Sequence, residues 1–256
     1  MANTVYANKI IEAKAKDLLS TKVNTRSLMT VDNELAQEAG MTKTINVYTY
    51  NGTAEEVAAG EGNSTRGSIA YVGTDYTVKM VQQVFDYQDE DFLKDPTIVD
   101  NGVAGATQTM TNKMTADFLA ECGKATLTVA KDANGLTYDN IVDAISKLNV
   151  EDESKLVVLI PNEDKGDLRK DEDYKAARMG EVIYNGQVGT IAGLPVVASK
   201  AATEAYVLSP EAITLFIKKD VEVEQDRDKD TRTNSIYLRS AYLVALTDAT
   251  KICSIK

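Results

Sequence analysis

Apolar positions recur at spacings of three and four over one stretch above all, D-P-T-I-V-D-N-G-V-A-G-A-T-Q-T-M-T-N-K-M-T-A-D-F-L-A-E-C-G, residues 95–123. Val99, Val103, Ala106, Met110, Met114 and Phe118 fall along one face, which predicts an amphipathic helix. Asp95 suits its start as an acceptor for free backbone N–H groups, and Pro96 as a residue with no N–H to lose. Asp100 lies where the helix dipole favours negative charge, and Gly123 before Lys124 predicts a left-handed stop. Unbroken, the helix is about 40 Å long. Gly102 and Gly105 are poor helix formers, so they either kink it or let another backbone approach closely. It reads as a spine between extended arms before it and an α/β unit after it.

Ahead of the spine, residues 4–20 carry a helical pattern with Tyr6, Ile10, Leu18 and Leu19 apolar and Lys9, Lys14 and Lys16 on the wet side. This is either a surface helix or an arm that docks on a neighbour. Thr25–Thr30 suggests a short strand, and Leu35–Gly40 a helical turn closed by Gly40. T-K-T-I-N-V-Y-T-Y (42–50) then alternates, with Ile45, Val47 and Thr49 on one side. S-I-A-Y-V-G-T-D-Y-T-V-K-M-V-Q-Q-V-F (68–85) returns, rich in Val, Tyr and Thr. Between them lie residues 51–67, with glycines at 52, 60, 62 and 67 and no pattern. Two long strands joined by such a loop make an antiparallel ribbon. Alone, a two-stranded ribbon is marginal in water, so this one requires a partner surface.

Beyond the spine, a turn at Asp132–Gly135 leads into an amphipathic helix over Asp139–Leu148, with Ile141, Val142, Ile145 and Leu148 on its apolar side. Leu156–Ile160 is an apolar run before Pro161, read as a buried central strand. Asn162–Ala177 is charged and loop-like with some helix, and residues 181–199 read as strand, turn, strand punctuated by Gly186, Gly189 and Gly193. Ser209-Pro210-Glu211 predicts a helix over Glu211–Lys218. The tail is an alternating sheet, with Val221 and Val223 against Glu222 and Glu224, a D-R-D-K-D turn, and S-I-Y-L-R-S-A-Y-L-V-A-L. There is no internal repeat.

Composition narrows the class without deciding it. The 256 residues bury roughly three-quarters of their unfolded surface as one large or two small domains. A hydrophobic share of 43% with 26% charge is normal for a folded protein. The longest apolar runs, Leu156–Ile160 and Ala241–Leu246, are far short of a membrane span, and the N-terminus lacks a secretory pattern. Cys122 and Cys253 are expected as buried free thiols, consistent with synthesis in a reducing cytoplasm. A net charge of −11 argues against broad nucleic-acid binding, although an acidic wall is compatible with enclosing DNA to which it does not stick.

Catalytic chemistry finds no footing. Without histidine there is no Ser–His–Asp or Cys–His activation and no His-based metal site. Gly62-N-S-T-R-Gly67-Ser68 has Ser68 where a phosphate loop needs lysine. Asp226, Asp228 and Asp230 alternate like the start of a calcium loop, but Thr231 and Tyr237 occupy the positions of its glycine and glutamate. A charge-balanced turn is the simpler reading, because Arg227, Lys229 and Arg232 offset the acids. No cofactor is expected.

The order of segments resembles the major capsid proteins of tailed phages, the Hong Kong 97-like family. The likeness is carried by N-G-Q-V-G-T-I-A-G-L-P-V-V-A-S (185–199), by I-K-K-D-V-E-V-E-Q-D-R-D-K-D-T-R-T-N-S-I-Y-L-R-S-A-Y-L-V-A-L-T-D-A-T-K-I (217–252) and by the spine. The resemblance implies an α+β fold with an N-terminal arm (1–41), an extended β-ribbon loop (42–84), a peripheral domain holding the spine (85–124 and 206–256) and an α/β axial domain (125–205). The implied role is structural: pentamers and hexamers of this chain closing an icosahedral shell around double-stranded DNA, in the virion, with no membrane. A cellular cargo shell shares the fold and is the alternative; an acidic calcium-binding module is a third. Only about 40 residues precede the ribbon, which implies a separate scaffolding protein beside the portal. Contacts between subunits are expected at Glu55, Glu56, Glu61 and Arg66 on the loop tip and Lys9, Lys14 and Lys16 on the arm. Arg66 at the tip, with Lys43 and Lys79 far from it, argues against isopeptide cross-linking.

Overall fold

A computed structural model describes residues 10–15, 25–37, 39–133, 135–172 and 189–256. Its strands are β1 (Thr30–Asp32), β2 (Thr42–Asn51), β3 (Ser68–Thr77), β4 (Lys79–Gln88), β5 (Leu127–Val129), β6 (Val157–Pro161), β7 (Thr190–Ile191), β8 (Leu194–Ser199), β9 (Ala205–Leu208), β10 (Ile213–Arg227), β11 (Thr233–Leu246) and β12 (Ile252–Ile255). The longer helices are α1 (Asp89–Lys94), α2 (Ile98–Cys122), α3 (Tyr138–Leu148) and α4 (Lys165–Lys170).

The spine is α2, one unbroken helix of 25 residues, about 37 Å long. All six residues of the expected stripe are buried on it, continued by Cys122. It starts at Ile98, two residues later than the sequence suggests. Asp95 turns its carboxylate onto the N–H and hydroxyl of Thr97 (2.9 and 2.6 Å), which holds the chain in a turn ahead of the first helical residue. Gly123 ends the helix in right-handed geometry, φ −62°, instead of the left-handed stop expected. Neither inner glycine interrupts the helix. Gly102 is where the ring of Phe85 on β4 seats against it, so a side chain and not a backbone makes the close approach.

Two sheets flank this helix. One has the order β1-β10-β11-β4, with β10 and β11 forming a long hairpin whose register shifts near Lys219. Its inner face meets the spine through Val221, Val223, Ile236, Leu238 and Tyr242. The other has the order β5-β12-β9-β6-β8-β7, with β6 central as its apolar run suggests. Against it packs α3 through Ile141, Ala144, Ile145 and Leu148. Thr137 begins α3 with a reciprocal capping box to Asn140. At the β7–β8 hairpin, Ala192 and Gly193 both adopt positive φ (49° and 81°), as a two-residue turn of this hand requires.

Several expectations are corrected. The helix expected over Glu211–Lys218 is the start of β10: Ile213, Thr214 and Ile217 are β-branched, and Ile213, Leu215 and Phe216 are buried, so packing overrides the Ser-Pro start signal. Ser209 still turns the chain, accepting from Ala212 N–H through its carbonyl at 2.9 Å. Thr25–Thr30 is mostly a 3-10 turn, Arg26–Leu28, with β1 beginning at Thr30. Residues 68–85 form two strands, because Val78 buries its side chain and donates its N–H to Met41 O (2.7 Å), ending the ribbon there. In the arm, the helical segment 10–15 buries Ile11 and Ala15 against the spine and leaves Ile10 exposed. Residues 173–188, including Gly186, lie outside the described residues, as do Tyr6, Leu18 and Leu19. Both cysteines are free and buried, as expected.

The two spine glycines give a matched test. A methyl at Gly105 meets nothing within 4 Å, whereas one at Gly102 lands 2.3 Å from Phe85 Cε2. Gly105→Ala is therefore expected to gain up to about 1 kcal/mol of stability. Gly102→Ala is expected to lose that gain and more, because the ring must leave its seat. Chemical denaturation of the two variants measures both signs; equal stabilisation by both contradicts the packing described.

Candidate subunit interface

The ribbon of β2 and β3 pairs antiparallel from Thr42↔Thr77 to Asn51↔Ser68 without a bulge. Because side chains alternate, this register sorts them onto two faces. Ile45, Val47 and Thr49 lie with Ala70, Val72 and Thr74 on one; Tyr48 and Tyr50 lie with Ile69 and Tyr71 on the other. Tyr48 and Tyr71, directly opposite, stack tilted at 6.1 Å between ring centroids. The ring of Tyr50 lies across Gly52 and Gly67, where an added Cβ would come within 2.4 and 2.3 Å of its hydroxyl. Every residue from 46 to 75 is exposed. Tyr71 and Val72 each keep 70% of their surface open, and Val47, Tyr48, Tyr50 and Ile69 more than half. Six large apolar side chains on both faces of one exposed ribbon make it the candidate association surface.

Among the described residues, only the root of the ribbon is tied to the body. Ile45 and Tyr76 pack on a small core of Leu35, Val78, Phe216, Ala241, Leu243 and Ala245. Lys43 lies 4.7 Å over the Phe216 ring and reaches Glu34 at 3.2 Å, and Lys124 lies 5.1 Å over the Tyr76 ring. Lys79, the first residue of β4, donates to buried Asp117 Oδ1 on the spine at 2.8 Å. Lys113 donates to the same oxygen at 2.9 Å, and Tyr242 donates to Oδ2 at 3.0 Å. Burial works to raise the Asp117 pKa, but the hydrogen bonds from Lys79, Lys113 and Tyr242 together outweigh it and hold the carboxyl below its usual range. The Tyr242 phenol is pushed up by burial and by the carboxylate beside it.

The sequence-derived contact residues divide. Glu55 is used within the tip: its carboxylate accepts from the backbone N–H of Ser64 (2.9 Å) and Thr65 (3.3 Å) and from both hydroxyls. Glu56, Glu61 and Arg66 are exposed, with no ion-pair partner among the described residues. Lys14 pairs with Asp100 of its own spine at 2.5 Å, so this part of the arm is held by the same chain. Lys9 and Lys16 lie outside the described residues. At the β10–β11 tip, Asp228 accepts from the Asp230 N–H and the Thr231 hydroxyl, both at 2.9 Å, and Arg227 pairs with Asp89, so these acids serve the turn. Among the described residues no three acidic or thiol side chains converge as metal ligands.

The tyrosine face and the Asp117 hub are absent from the sequence-derived contacts. The first was visible as V-Y-T-Y (47–50), apolar on both strand faces where a half-buried strand is apolar on one. The second had a weaker signal, an aspartate beside Phe118 on the apolar side of the spine.

No protein-family model matches the chain. It is 29% identical over 249 residues to the "Major capsid protein" of Staphylococcus phage phiMR11, covering 93% of this chain and 88% of that one. The capsid structure of cyanophage P-SCSP1u superposes with a TM-score of 0.69 at 11% identity, over 89% of this chain and 86% of the other. A virus-like particle from Pyrococcus furiosus superposes at 0.67 with 9% identity, over 97% and 98%.

The four donors to Glu55 hold its carboxyl below the ordinary value of 4.5, the Ser64 hydroxyl most of all. A depressed folded value means the clasp is complete above 4.5 and is lost only as pH falls through the lower, folded value. A carbon-13 NMR titration of the Glu55 carboxyl is expected to show a midpoint below 4.5, with the Ser64 and Thr65 amide shifts moving alongside. A midpoint at or above 4.5 contradicts the clasp.

Proposed function

We infer that this chain, which has the Hong Kong 97-like capsid fold and a phage major capsid protein among its relatives, is the structural major capsid protein of a tailed phage, one of many identical copies forming an icosahedral shell. It is not an enzyme. The observation that carries the reading is the exposed ribbon, apolar on both faces and bare from residue 46 to 75. The P. furiosus particle shares the fold at 9% identity, so fold alone does not separate a phage shell from a cellular cargo shell; the 29% identity to a phage protein favours the phage.

In this reading residues 42–84 lie across an adjacent copy, and residues 125–205 meet their mates around five- and six-fold axes as pentamers and hexamers. Residues 85–124 and 206–256 form the peripheral wall between those axes. Fully covering one large apolar side chain is worth roughly 1.5–3 kcal/mol, while each association costs roughly 4–15 kcal/mol of lost freedom. The six on one ribbon, already partly covered, therefore only roughly offset one association, and closure by symmetry supplies the rest of the stability. The net charge of −11 suits a wall that encloses double-stranded DNA without gripping its phosphates. A separate scaffolding protein and a portal are the expected partners, and the host bacterial cytoplasm the expected place of synthesis. Glu56, Glu61 and Arg66, with Lys9 and Lys16, remain the charged residues proposed to meet a neighbour.

Val72→Asp tests the ribbon. The side chain is 70% exposed, so the isolated monomer is expected to keep its Tm within about 2 °C. Negative-stain microscopy is expected to show no closed shells from this variant, with or without a co-expressed scaffold. Shells at the parent's yield contradict the assignment. The tip offers Arg66, while Lys43 and Lys79 are engaged at the root, so parent shells boiled in detergent are expected to give a single monomer band. A ladder of covalent oligomers contradicts that.

A further inference from the structure

Two lysines contact one buried oxygen in nearly the same way, yet they belong to different parts of the machine. Lys79 and Lys113 reach Asp117 Oδ1 at 2.8 and 2.9 Å, and their side chains are 53% and 52% exposed. Lys113 sits one turn before Asp117 on the same helix, so it travels with the carboxylate and neutralises it wherever the helix goes. Lys79 opens β4, directly after the point where the ribbon joins the body.

Its position in the ladder matters. Lys79↔Tyr242 is the last register pair between β4 and β11, and both residues of that pair donate to Asp117. One residue further, at Val78, the chain leaves the sheet for the ribbon. The Asp117 contact is thus the end of the β4 ladder's attachment to the spine. The other charged contacts at the root are softer. Lys43 and Lys124 rest on aromatic rings, and the acid paired with Lys43, Glu34, is 69% exposed, where an ion pair contributes little.

Leverage makes the root consequential. Ten residues of β3 at about 3.4 Å each carry the tip roughly 34 Å from the body. A tilt of about 10° at the root moves the tip by about 6 Å, more than the 4.8 Å or so between neighbouring strands. A ribbon misaimed by that much presents its tyrosine and valine faces to the wrong surface.

We propose that Lys79 is a positioning residue for assembly, its ion pair with Asp117 fixing the direction in which the ribbon leaves the body, while Lys113 only balances the buried charge. The consequence for shells rests on the capsid reading above; the geometric claim does not. Either lysine can be removed while Asp117 keeps two of its three donors, so Lys79→Met and Lys113→Met are expected to fold with similar Tm.

The experiment is a pulsed electron-spin distance measurement on the unassembled full chain, with spin labels at Ala58→Cys on the tip and Ser146→Cys on α3. Both native thiols are buried, which directs the label to the introduced sites. Lys113→Met is expected to reproduce the parent distance distribution. Lys79→Met is expected to broaden it and shift its mean by about 5 Å or more, and Lys79→Arg, which keeps a cation in reach, to restore it. Shell yield should follow the same order, with Lys113→Met near the parent and Lys79→Met reduced. Identical distance distributions for the two methionine variants overturn the proposal. A parent chain that never forms shells overturns the capsid reading instead and leaves the distance comparison to judge the anchor.

Discussion

A two-stranded ribbon cannot bury its own sides, and most of this molecule is arranged around that constraint. Each strand alternates its side chains between two faces, and here both faces carry large apolar groups: Val47 and Val72 on one, Tyr48, Tyr50, Ile69 and Tyr71 on the other. A strand lying on a body of its own hides one such face and exposes a polar one. Residues 46–75 have no body beneath them. In the proposed shell, the surface that finishes them belongs to another copy.

The remainder of the fold makes such a projection tolerable. The spine α2 gathers the two sheets into one continuous core, from Val99 to Cys122 along its buried stripe. With that core settled, the ribbon needs fixing only at its root. A small apolar core (with Val78, Phe216 and Leu243), Lys43 on β2 and Lys79 on β4 supply this. At the far end Glu55 gathers Ser64 and Thr65, giving the glycine-rich tip an internal hydrogen-bonded shape. The ribbon is thus defined at both ends and bare between them, as suits an element that docks as a unit.

Much of this was legible in the sequence, for physical reasons that differ by element. The spine stripe was read residue for residue, because a 3.6-residue period sustained over 25 positions has no competing explanation. The ribbon was legible as two β-rich runs around a glycine-rich gap, and α3 through its spacing. The start of β10 was misread: a Ser-Pro-Glu signal describes local preference, while the burial of Ile213, Leu215 and Phe216 is set by β11 and β1, distant in the chain. At the site, charge was a poor guide. Glu55 and Lys14, chosen as outward contacts, are spent on Ser64, Thr65 and Asp100 of the same chain. The ribbon was expected to need a partner surface, but the contacts were chosen among charged residues and not on its exposed apolar faces. Whether a carboxylate faces a neighbour or its own backbone depends on loop geometry that spacing does not encode.

In the shell reading, neighbouring copies alone complete the ribbon. Hydrogen exchange of the amides from residues 46 to 75, compared between the dissociated chain and the assembled particle, tests it most directly. Rapid exchange is expected in the dissociated chain, far faster than in β6 or β11 of the same molecules, with strong slowing on assembly. Ribbon amides already as protected as β6 in the lone chain, or unchanged on assembly, would contradict it.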